Sequence, residues 1–362
     1  MRTLAALLFL PLLSSCATME YYWQGVRGDL AILARAQAIP KVIETTSDAT
    51  LKAKLERSIA IRNYASRDLA LPDNGSYRSY ADIGRRFVLW NVIATPELSL
   101  EPRQWCFPIA GCVNYRGYFE ESGARGEAAK FASTGDDVHV SGVPAFSTLG
   151  YFNDPILSTF VRYSDPELAR LVFHELAHQV AYVKDDSVFN ESFAVLVEEV
   201  GVERWLAAQN DPVLAAQFAS TQRYREGFRD LVDRTRTRLA ALYASGATDE
   251  TKRAGKVEAF AQMRAEYAAL KVQWGGSAGY DGWFAQGPTN ASLAAMALYS
   301  RKVPEFRALL AAEDGNLPRF YARVKELGRM PKEERDRVLA NGIVPTVPGT
   351  SARREAGSPV TR

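Results

Sequence analysis

The sequence predicts an α+β fold in which a small mixed β-sheet subdomain precedes a mostly helical subdomain. Short runs rich in β-branched and aromatic residues, bounded by Gly and Pro, lie between residues 86 and 143. From residue 165 onward the pattern is nearly all helical. The residues with recognisable chemistry follow the sheet region directly.

Residues 1–15 are predicted to be a targeting signal. Arg2 supplies a positive start, and the apolar run from Leu4 to Leu13 is too short to span a bilayer. The Leu-Ser-Ser-Cys sequence that ends at Cys16 resembles a bacterial lipobox, which implies lipidation of that cysteine; ordinary signal cleavage nearby is the alternative. In either case we expect an exported protein. Ala17 indicates sorting to the outer membrane, facing the periplasm, with the membrane as a partner through the lipid anchor.

The composition of the 362 residues is ordinary, with 47% hydrophobic residues, 24% charged residues and a net charge of +2. It gives no reason to expect a nucleic acid partner, and it leaves the oligomeric state open. Cys106 and Cys112 remain once Cys16 is lipidated. In an oxidising compartment we predict that they form a disulfide, because a second metal site would lack any nearby His or further Cys.

Turn residues and caps divide the rest of the chain. We expect N-terminal helices and the sheet in residues 16–164, the helical subdomain in 165–340, and a disordered tail in 341–362, which is rich in Pro, Gly, Ser and Thr. A first helix is expected to end at Pro40, and Asp48 is expected to cap a second. The predicted strands are 86–94, 113–119 and 137–143, with a helix at 121–133. The later predicted helices are 165–183, 189–208, 212–244, 248–273, 288–301, 303–312, 316–327 and 331–340.

The most informative stretch is His174-Glu175-Leu176-Ala177-His178, an HExxH sequence with apolar neighbours. On a helix His174 and His178 share one face, where two imidazoles can hold a zinc ion. Glu175 lies off that face, which suits a general base for water at the metal, as in a metallopeptidase. A chance match on a buried helix is the alternative, but the chain has only 3 His, and two of them form this pair.

A catalytic zinc site needs a third protein ligand. Position 184 is Lys, where a metzincin would have its third histidine, so that class is excluded. The segment Asn-Glu-Ser-Phe-Ala around Glu191 resembles the NE-x-F-A segment of gluzincin aminopeptidases, and this resemblance implies Glu191 as the third ligand of one Zn²⁺ per chain. Fewer residues separate His178 from Glu191 than in thermolysin, so Glu198 and Glu199 are the alternatives. Glu198 better suits a role in orienting a ligand histidine.

Taken whole, the chain resembles the putative aminopeptidase family of bacterial lipoproteins, with a zincin-like layout of a sheet, an HExxH helix and a helical half. The resemblance to that layout implies a metal site between the sheet and the helical half. The matching segments are CATMEYYWQ, LPDNGSYRSYADIG, WNVIATPELSLEPRQWCFPIAGCVNYRGYF, GVPAFSTLGYFNDPILST, FHELAHQ, YVKDDSVFNESFA and YDGWFAQGPTNASLA. The resemblance implies a zinc-dependent aminopeptidase that acts on a peptide substrate. A zinc endopeptidase, an envelope amidase, and a non-catalytic envelope lipoprotein stabilised by zinc stay open as alternatives.

Other residues are candidates for binding the substrate. The segment 138–150 is expected to be either an edge strand that pairs with the substrate backbone or a plain structural strand. Tyr280, in a Gly-rich stretch, is the first candidate for the oxyanion donor, ahead of Tyr182 and His139. The sequence does not choose among the acids that could hold a substrate amine, which are Glu97, Glu101, Asp136, Asp154 and Asp281.

Overall fold

A computed structural model of the chain describes residues 21–107 and 111–341. The expected signal, Cys16 and the tail predicted beyond residue 341 lie outside the described residues. The fold is α+β, as the sequence predicts, with small sheets in the first half and helices dominating the second. None of the helices in the described ranges combines the length and apolarity that a membrane span requires.

The strands of the described part form three small sheets. They are β1 (Gln37–Ala38), β2 (Ser79–Ala81), β3 (Leu89–Thr95), β4 (Trp105–Phe107), β5 (Gly111–Val113), β6 (Arg116–Tyr118), β7 (Asp137–Val143) and β8 (Ile156–Leu157). The central sheet has the order β6-β3-β7 and is antiparallel throughout, with Leu89 opposite Val143 and Trp90 opposite Tyr118. Among the described residues β7 is therefore an edge strand. Strand β2 pairs antiparallel with β1 and parallel with β8, and β4 and β5 form a hairpin.

The helices begin with α1, which covers residues 21–33 of the described chain. They continue with α2 (Ile39–Thr45), α3 (Ala49–Arg67), α4 (Glu121–Ser133), α5 (Asp165–Val180), α6 (Ser187–Gln209), α7 (Pro212–Ala244) and α8 (Asp249–Gln273). The last are α9 (Asp281–Ala285), α10 (Asn290–Ser300), α11 (Val303–Ala312), α12 (Leu317–Gly328) and α13 (Lys332–Asn341). Asp48 caps α3 by accepting a hydrogen bond from the Leu51 amide at 2.9 Å, as the sequence predicts.

Two local predictions were wrong. Pro40 does not end the first helix; it lies in the first turn of α2, where proline costs no helical hydrogen bond. The run predicted as one strand at 113–119 is divided between two strands, because β5 pairs within the hairpin and β6 joins β3. The strand predicted at 137–143 coincides with β7.

Packing around α10 joins the sheet to the central helix pair. Helices α5 and α6 pack against each other in the main core, and α10 packs against α6 on one side and against β3 and β7 on the other. Ile93 of β3 contacts a cluster of small residues on α10, Ala291, Ala294 and Ala295. Small side chains let the helix approach the sheet closely. As a result, the C-terminal end of α10, with Tyr299, lies beside the site described next.

Candidate metal centre

Helix α5 carries the HExxH residues into the interior. Pro166 lies in its first turn, and Asp165 and Glu167 place negative charge where the helix dipole favours it. His174 and His178 lie one turn apart, each only 8% exposed, and Glu175 between them is 7% exposed. A helix of this length buried on several sides gives these polar side chains a rigid, dry setting.

Three side chains from α5 and α6 converge on one point. The Nε2 atoms of His174 and His178 are 3.2 Å apart. Glu191 Oε2 lies 3.3 Å from His174 Nε2 and 3.7 Å from His178 Nε2. Glu191 is itself 8% exposed, so all three ligand-type groups are buried together.

This triangle has the dimensions of a tetrahedral metal site. Ligand atoms about 2.0–2.1 Å from a common zinc ion lie about 3.3–3.4 Å apart when the angles are tetrahedral. The three observed separations scatter around that value, and two imidazoles with one carboxylate form a known set of catalytic zinc ligands. The group His174, His178 and Glu191 could therefore hold a metal ion.

The charges within the triangle are strongly coupled. Burial disfavours charge on His174, but hydrogen bonds to Glu191 and Glu198 outweigh it and raise the pKa of His174 to about 10. Burial opposes ionisation of Glu191 as well, yet the neighbouring His178 and His174 lower its pKa to about 2. Glu191 is thus a carboxylate at any physiological pH. A metal ion that binds here competes with a proton on the imidazole.

Glu198 holds the other ring nitrogen of His174. Its Oε2 lies 2.8 Å from His174 Nδ1, which leaves Nε2 facing Glu191. Arg170 donates to both carboxylate oxygens of Glu198 at 3.1 Å and to Glu167 at 2.9 Å. Glu198 lies about two turns after Glu191 on α6 and orients the histidine from behind, as the sequence reasoning prefers. Glu199, the other alternative ligand, instead pairs with Arg229 and Arg307.

Side chains hold the connection between α5 and α6 in place through hydrogen bonds to its backbone groups. The Asn190 side chain accepts from the Val183 amide at 2.7 Å and donates to the Val183 carbonyl at 2.8 Å. Asp186 caps α6 by accepting from the Phe189 amide at 3.1 Å. Asp185, in the left-handed region at φ 66°, accepts from the amide of Cys112. Since Asn190 immediately precedes Glu191, this bracing holds the third ligand-type residue in position.

The hairpin that contacts this connection carries the predicted disulfide. Cys106 and Cys112 face each other across β4 and β5 and are joined through their sulfur atoms. This disulfide links the two strands of the hairpin, which contacts Asp185 through the amide of Cys112. Tyr115 lies two residues after the end of the hairpin.

Glu175 is buried beside the two histidines. Burial raises the pKa of its carboxyl, and the two histidines only partly offset this effect. Tyr77 is 1% exposed and has a positive φ of 62°. Its pKa is well above the usual value because of burial, and the nearby Glu175 and Asp154 add to the effect. Its hydroxyl has no hydrogen-bond partner among the described residues.

A comparison with known families agrees with this geometry. The profile of a family described as putative aminopeptidase matches residues 20–339, which include the whole of α5 and α6. The chain belongs to the putative aminopeptidase family. No curated protein and no solved structure matches it. The buried His-His-Glu group, which could hold a metal ion, is consistent with the description of this family as a peptidase family.

The tyrosine whose ring lies near His174 is Tyr299, which is not among the candidates for the oxyanion donor that the sequence suggests. Tyr280 is the N-cap of α9 and stacks on Phe228, with ring centroids 3.9 Å apart. It lines a cavity that His174 also lines, and its role as oxyanion donor stays a prediction. The ring of Tyr299 lies 6.4 Å from that of His174, and the charge of Glu191, followed by burial, raises its pKa well above the usual value.

Sequence reasoning missed Tyr299 and Tyr115. Burial raises the pKa of Tyr115 well above its usual value, and Glu191 and Tyr299 raise it further. Burial followed by the charge of Glu191 also raises the pKa of Tyr182, although this residue is 42% exposed. His139 lies within β7 opposite Ile93, and burial alone lowers its pKa to about 4. No local signal in the sequence marks Tyr299, since it lies more than 100 residues beyond the HExxH helix.

The five candidate acids for a substrate amine fall into two groups. Glu97, Asp136 and Asp281 form ion pairs with Arg253, Arg103 and Lys271 respectively, and Glu101 is exposed. Asp154 is 4% exposed and makes no ion pair within the described residues. Its carboxylate accepts from the Thr148 amide at 3.0 Å, and it raises the pKa of Glu175.

Proposed function

We propose that this protein is a zinc-dependent peptidase and, more specifically, an aminopeptidase. The observation that carries the proposal is the triangle of His174, His178 and Glu191, whose ligand atoms have tetrahedral zinc spacing, with Glu175 buried beside it. Membership of the putative aminopeptidase family supports the reaction class. A purely structural zinc site would not need a buried glutamate next to its ligands.

The chain's own residues divide the work of hydrolysis. A zinc ion held by His174, His178 and Glu191 would supply Lewis acidity, polarising the scissile carbonyl and lowering the pKa of water. Glu175 takes the proton from the attacking water and delivers it to the leaving amine. Its raised pKa suits both steps, because a carboxyl that holds a proton more tightly is a better base and can still give that proton up.

Tyr299 is well suited to stabilise the oxyanion. A tyrosine hydroxyl is protonated at neutral pH and stays so beside Glu191, whose charge raises its pKa, so it can donate a hydrogen bond where negative charge develops. The tilted packing of its ring near His174 holds it beside the centre. Tyr280 serves the same role only if the substrate extends into the cavity that it lines.

Asp154 is the candidate that best suits binding of the substrate's free amine. Burial raises its pKa, and burial followed by the charge of Asp154 raises the pKa of Asp29 to about 6. Two nearby carboxyls without a basic partner among the described residues would both gain from an ammonium group. We also propose that Cys16 carries the lipid anchor and that the peptidase acts at the periplasmic face of the outer membrane.

The test is zinc analysis combined with a panel of aminoacyl fluorogenic substrates, each in free and N-blocked form. We expect about one zinc per chain and cleavage of the free forms alone. Cleavage of the blocked forms would support an endopeptidase or amidase instead. Zinc without any cleavage would favour a structural role for the metal.

Glu175→Gln supplies the decisive variant. It should keep zinc and lose about 10²- to 10⁴-fold in kcat, because the ligands remain while the base is removed. Glu127→Gln is the matched control, since Glu127 is also a buried glutamate but pairs with Arg116 on the sheet side of the molecule. Full activity in Glu175→Gln would reject the mechanism.

A further inference from the structure

A cavity opens beside the candidate metal centre, and the proposed chemistry uses only the part of it near His174 and Tyr299. Its volume is about 310 Å³, at the small end of ligand pockets. His174 and Tyr299 form one part of its wall, and residues 143–145, at the end of the edge strand β7, form another. The cavity therefore lies between the candidate metal centre and the end of β7.

Positive charge dominates the wall of the cavity. Arg170, Arg225 and Arg229 line it, and Glu198 is the one carboxylate among its described lining residues. Apolar contacts come from Phe228 and Met296. We call this cavity the arginine pocket.

Two of the acids that pair with these arginines are each shared by two guanidinium groups. Glu167 is shared between Arg170 and Arg225, at 2.9 and 2.5 Å. Glu199 is shared in the same way between Arg229 and Arg307, at 3.1 and 2.6 Å. Arg307 does not line the pocket, so the three pocket arginines have three carboxylate partners among the described residues. Of these three carboxylates only Glu198 lines the cavity, so the arginines face it without Glu167 and Glu199 beside them.

Of the three arginines that line the pocket, Arg229 makes the fewest hydrogen bonds. It makes one hydrogen bond within the described part of the chain, through Nη2 to Glu199. A guanidinium group has five N–H donors in a planar fork that matches a carboxylate. Its side chain is 25% exposed, so the remaining donors can reach a ligand in the cavity that it lines.

We propose that the arginine pocket binds a carboxylate of the peptide substrate on the leaving-group side, with Arg229 as the principal donor and Arg225 beside it. This inference rests on the proposed peptidase function and adds a substrate class to it. The carboxylate is either the C-terminal group of a short peptide or an acidic side chain next to the scissile bond. Both present the same anion to the guanidinium fork.

The test compares pairs of substrates on the zinc-loaded full-length protein. One pair is a dipeptide with a free C-terminus and its C-terminal amide; the other is a longer peptide with Asp or Asn after the scissile bond. The wild type should prefer the acid of at least one pair by about 10- to 100-fold in kcat/KM, as expected for a charge-assisted hydrogen bond. The pair that shows the preference identifies the source of the carboxylate.

Arg229→Met should abolish that preference, whereas Arg307→Met should keep it. Both arginines bind Glu199, but only Arg229 lines the pocket, so Arg307→Met controls for loss of an ion pair. Arg229→Lys retains the charge and should keep part of the preference, and it serves if the methionine variant does not fold. No acid preference in the wild type, or an equal loss in both methionine variants, would overturn the proposal.

Binding to Glu175→Gln protein separates this proposal from the peptidase proposal. Calorimetry with the same peptide pairs should show tighter binding of the acid, and a second substitution, Arg229→Met, should remove the difference. If the wild type hydrolyses nothing while this binding difference is observed, the pocket assignment stands and the peptidase assignment fails. A carboxylate that bound only to the metal would show a preference that is independent of Arg229.

Discussion

Glu191 and Glu198 show how two identical residues on one helix acquire different tasks from their neighbours. Glu191 Oε2 faces both Nε2 atoms, where a metal ligand must be. Glu198 contacts only the rear nitrogen of His174 and is neutralised by Arg170. Burial opposes ionisation of both carboxyls, but the neighbouring histidines and, for Glu198, Arg170 outweigh it and lower both pKa values to about 2, so charge alone does not distinguish them. What distinguishes them is the imidazole nitrogen that each one faces, Nε2 for Glu191 and Nδ1 for Glu198.

The two glutamates should therefore differ in their effect on metal affinity. Glu191→Ala removes one of three ligands and should abolish stoichiometric zinc binding. Glu198→Ala leaves the ligands but frees the His174 ring, and should weaken zinc binding by about 10- to 100-fold. Competition with a chromophoric chelator measures both affinities.

Glu199→Ala provides the control for that experiment. Glu199 is as buried as Glu191, at 8% exposure, but it pairs with arginines and contacts no histidine. Its zinc affinity should equal that of the wild type. Unchanged zinc binding in Glu191→Ala would rule out Glu191 as the ligand.

Residue by residue, the sequence is most informative where function depends on local spacing. His174, Glu175 and His178 are four residues apart or less, so helix geometry alone determines their relative placement. Tyr299 and Arg229 approach the same histidine through tertiary packing of α10 and α7. Tertiary approach of this kind leaves no periodic pattern, and for that reason the arginine pocket and Tyr299 were not predicted.

At the scale of elements, the α5–α6 connection depends on a helix from the end of the chain. Asp186, the N-cap of α6, accepts from Arg335 of α13 at 2.7 Å and from Lys332 at 2.9 Å, both through Oδ2. Side chains of Asp186 and Arg335 are 2% and 4% exposed, whereas that of Lys332 is 55% exposed. Arg335 also lies over the Phe189 ring, 5.2 Å from its centroid. Thus α13 anchors the turn that leads to Glu191.

Removing the buried partner should cost much more stability than removing the exposed one. Arg335→Met removes the buried partner of Asp186 and leaves only the exposed Lys332 beside its carboxylate, so it should reduce the free energy of unfolding by up to about 3–5 kcal/mol. Lys332→Met removes a solvent-exposed pair and should cost less than about 1 kcal/mol. The shift of the urea unfolding midpoint measures both, and equal shifts would contradict a structural role for the buried pair.

The same comparison of scales explains the errors in element prediction. The strand at 137–143 and the helix at 121–133 were predicted correctly because their patterns are local. The run at 113–119 was predicted as one strand, since β-propensity does not reveal that a disulfide-linked hairpin takes its first part. At Pro40, proline is compatible with either side of a helix boundary, and only the position of β1 just before it determines which.

For the whole molecule, β3 is the element around which sheet and helices assemble. Its Val92 packs on Ala124 and Ala128 of α4, while its neighbour Ile93 packs on α10, as alternation along a strand requires. Because α10 also packs on α6, it connects the sheet with the helix that carries Glu191 of the candidate metal centre. His139 pairs with Ile93 at the middle of this assembly and is therefore a reporter of its integrity.

The neutral state of His139 should make stability depend on pH in a defined window. Burial lowers its pKa to about 4 in the folded chain, whereas an unperturbed histidine, as in the unfolded chain, has a pKa of 6.5. Between these values the unfolded chain binds more protons, so the stabilising contribution is complete above pH 6.5 and is lost as the pH falls toward 4. From pH 7 to pH 5 this group should cost the wild type about 1–2 kcal/mol relative to His139→Gln, which does not titrate.

Urea unfolding of both proteins at pH 7 and pH 5 measures this difference. Contributions from His174, Glu191 and bound metal are common to the two proteins and cancel in the comparison, so the difference reports position 139 alone. A wild type that lost no more stability than His139→Gln on acidification would mean that His139 is protonated in the folded protein. A protonated His139 would require a carboxylate or water close to β7, which would contradict the apolar packing between β3 and α10.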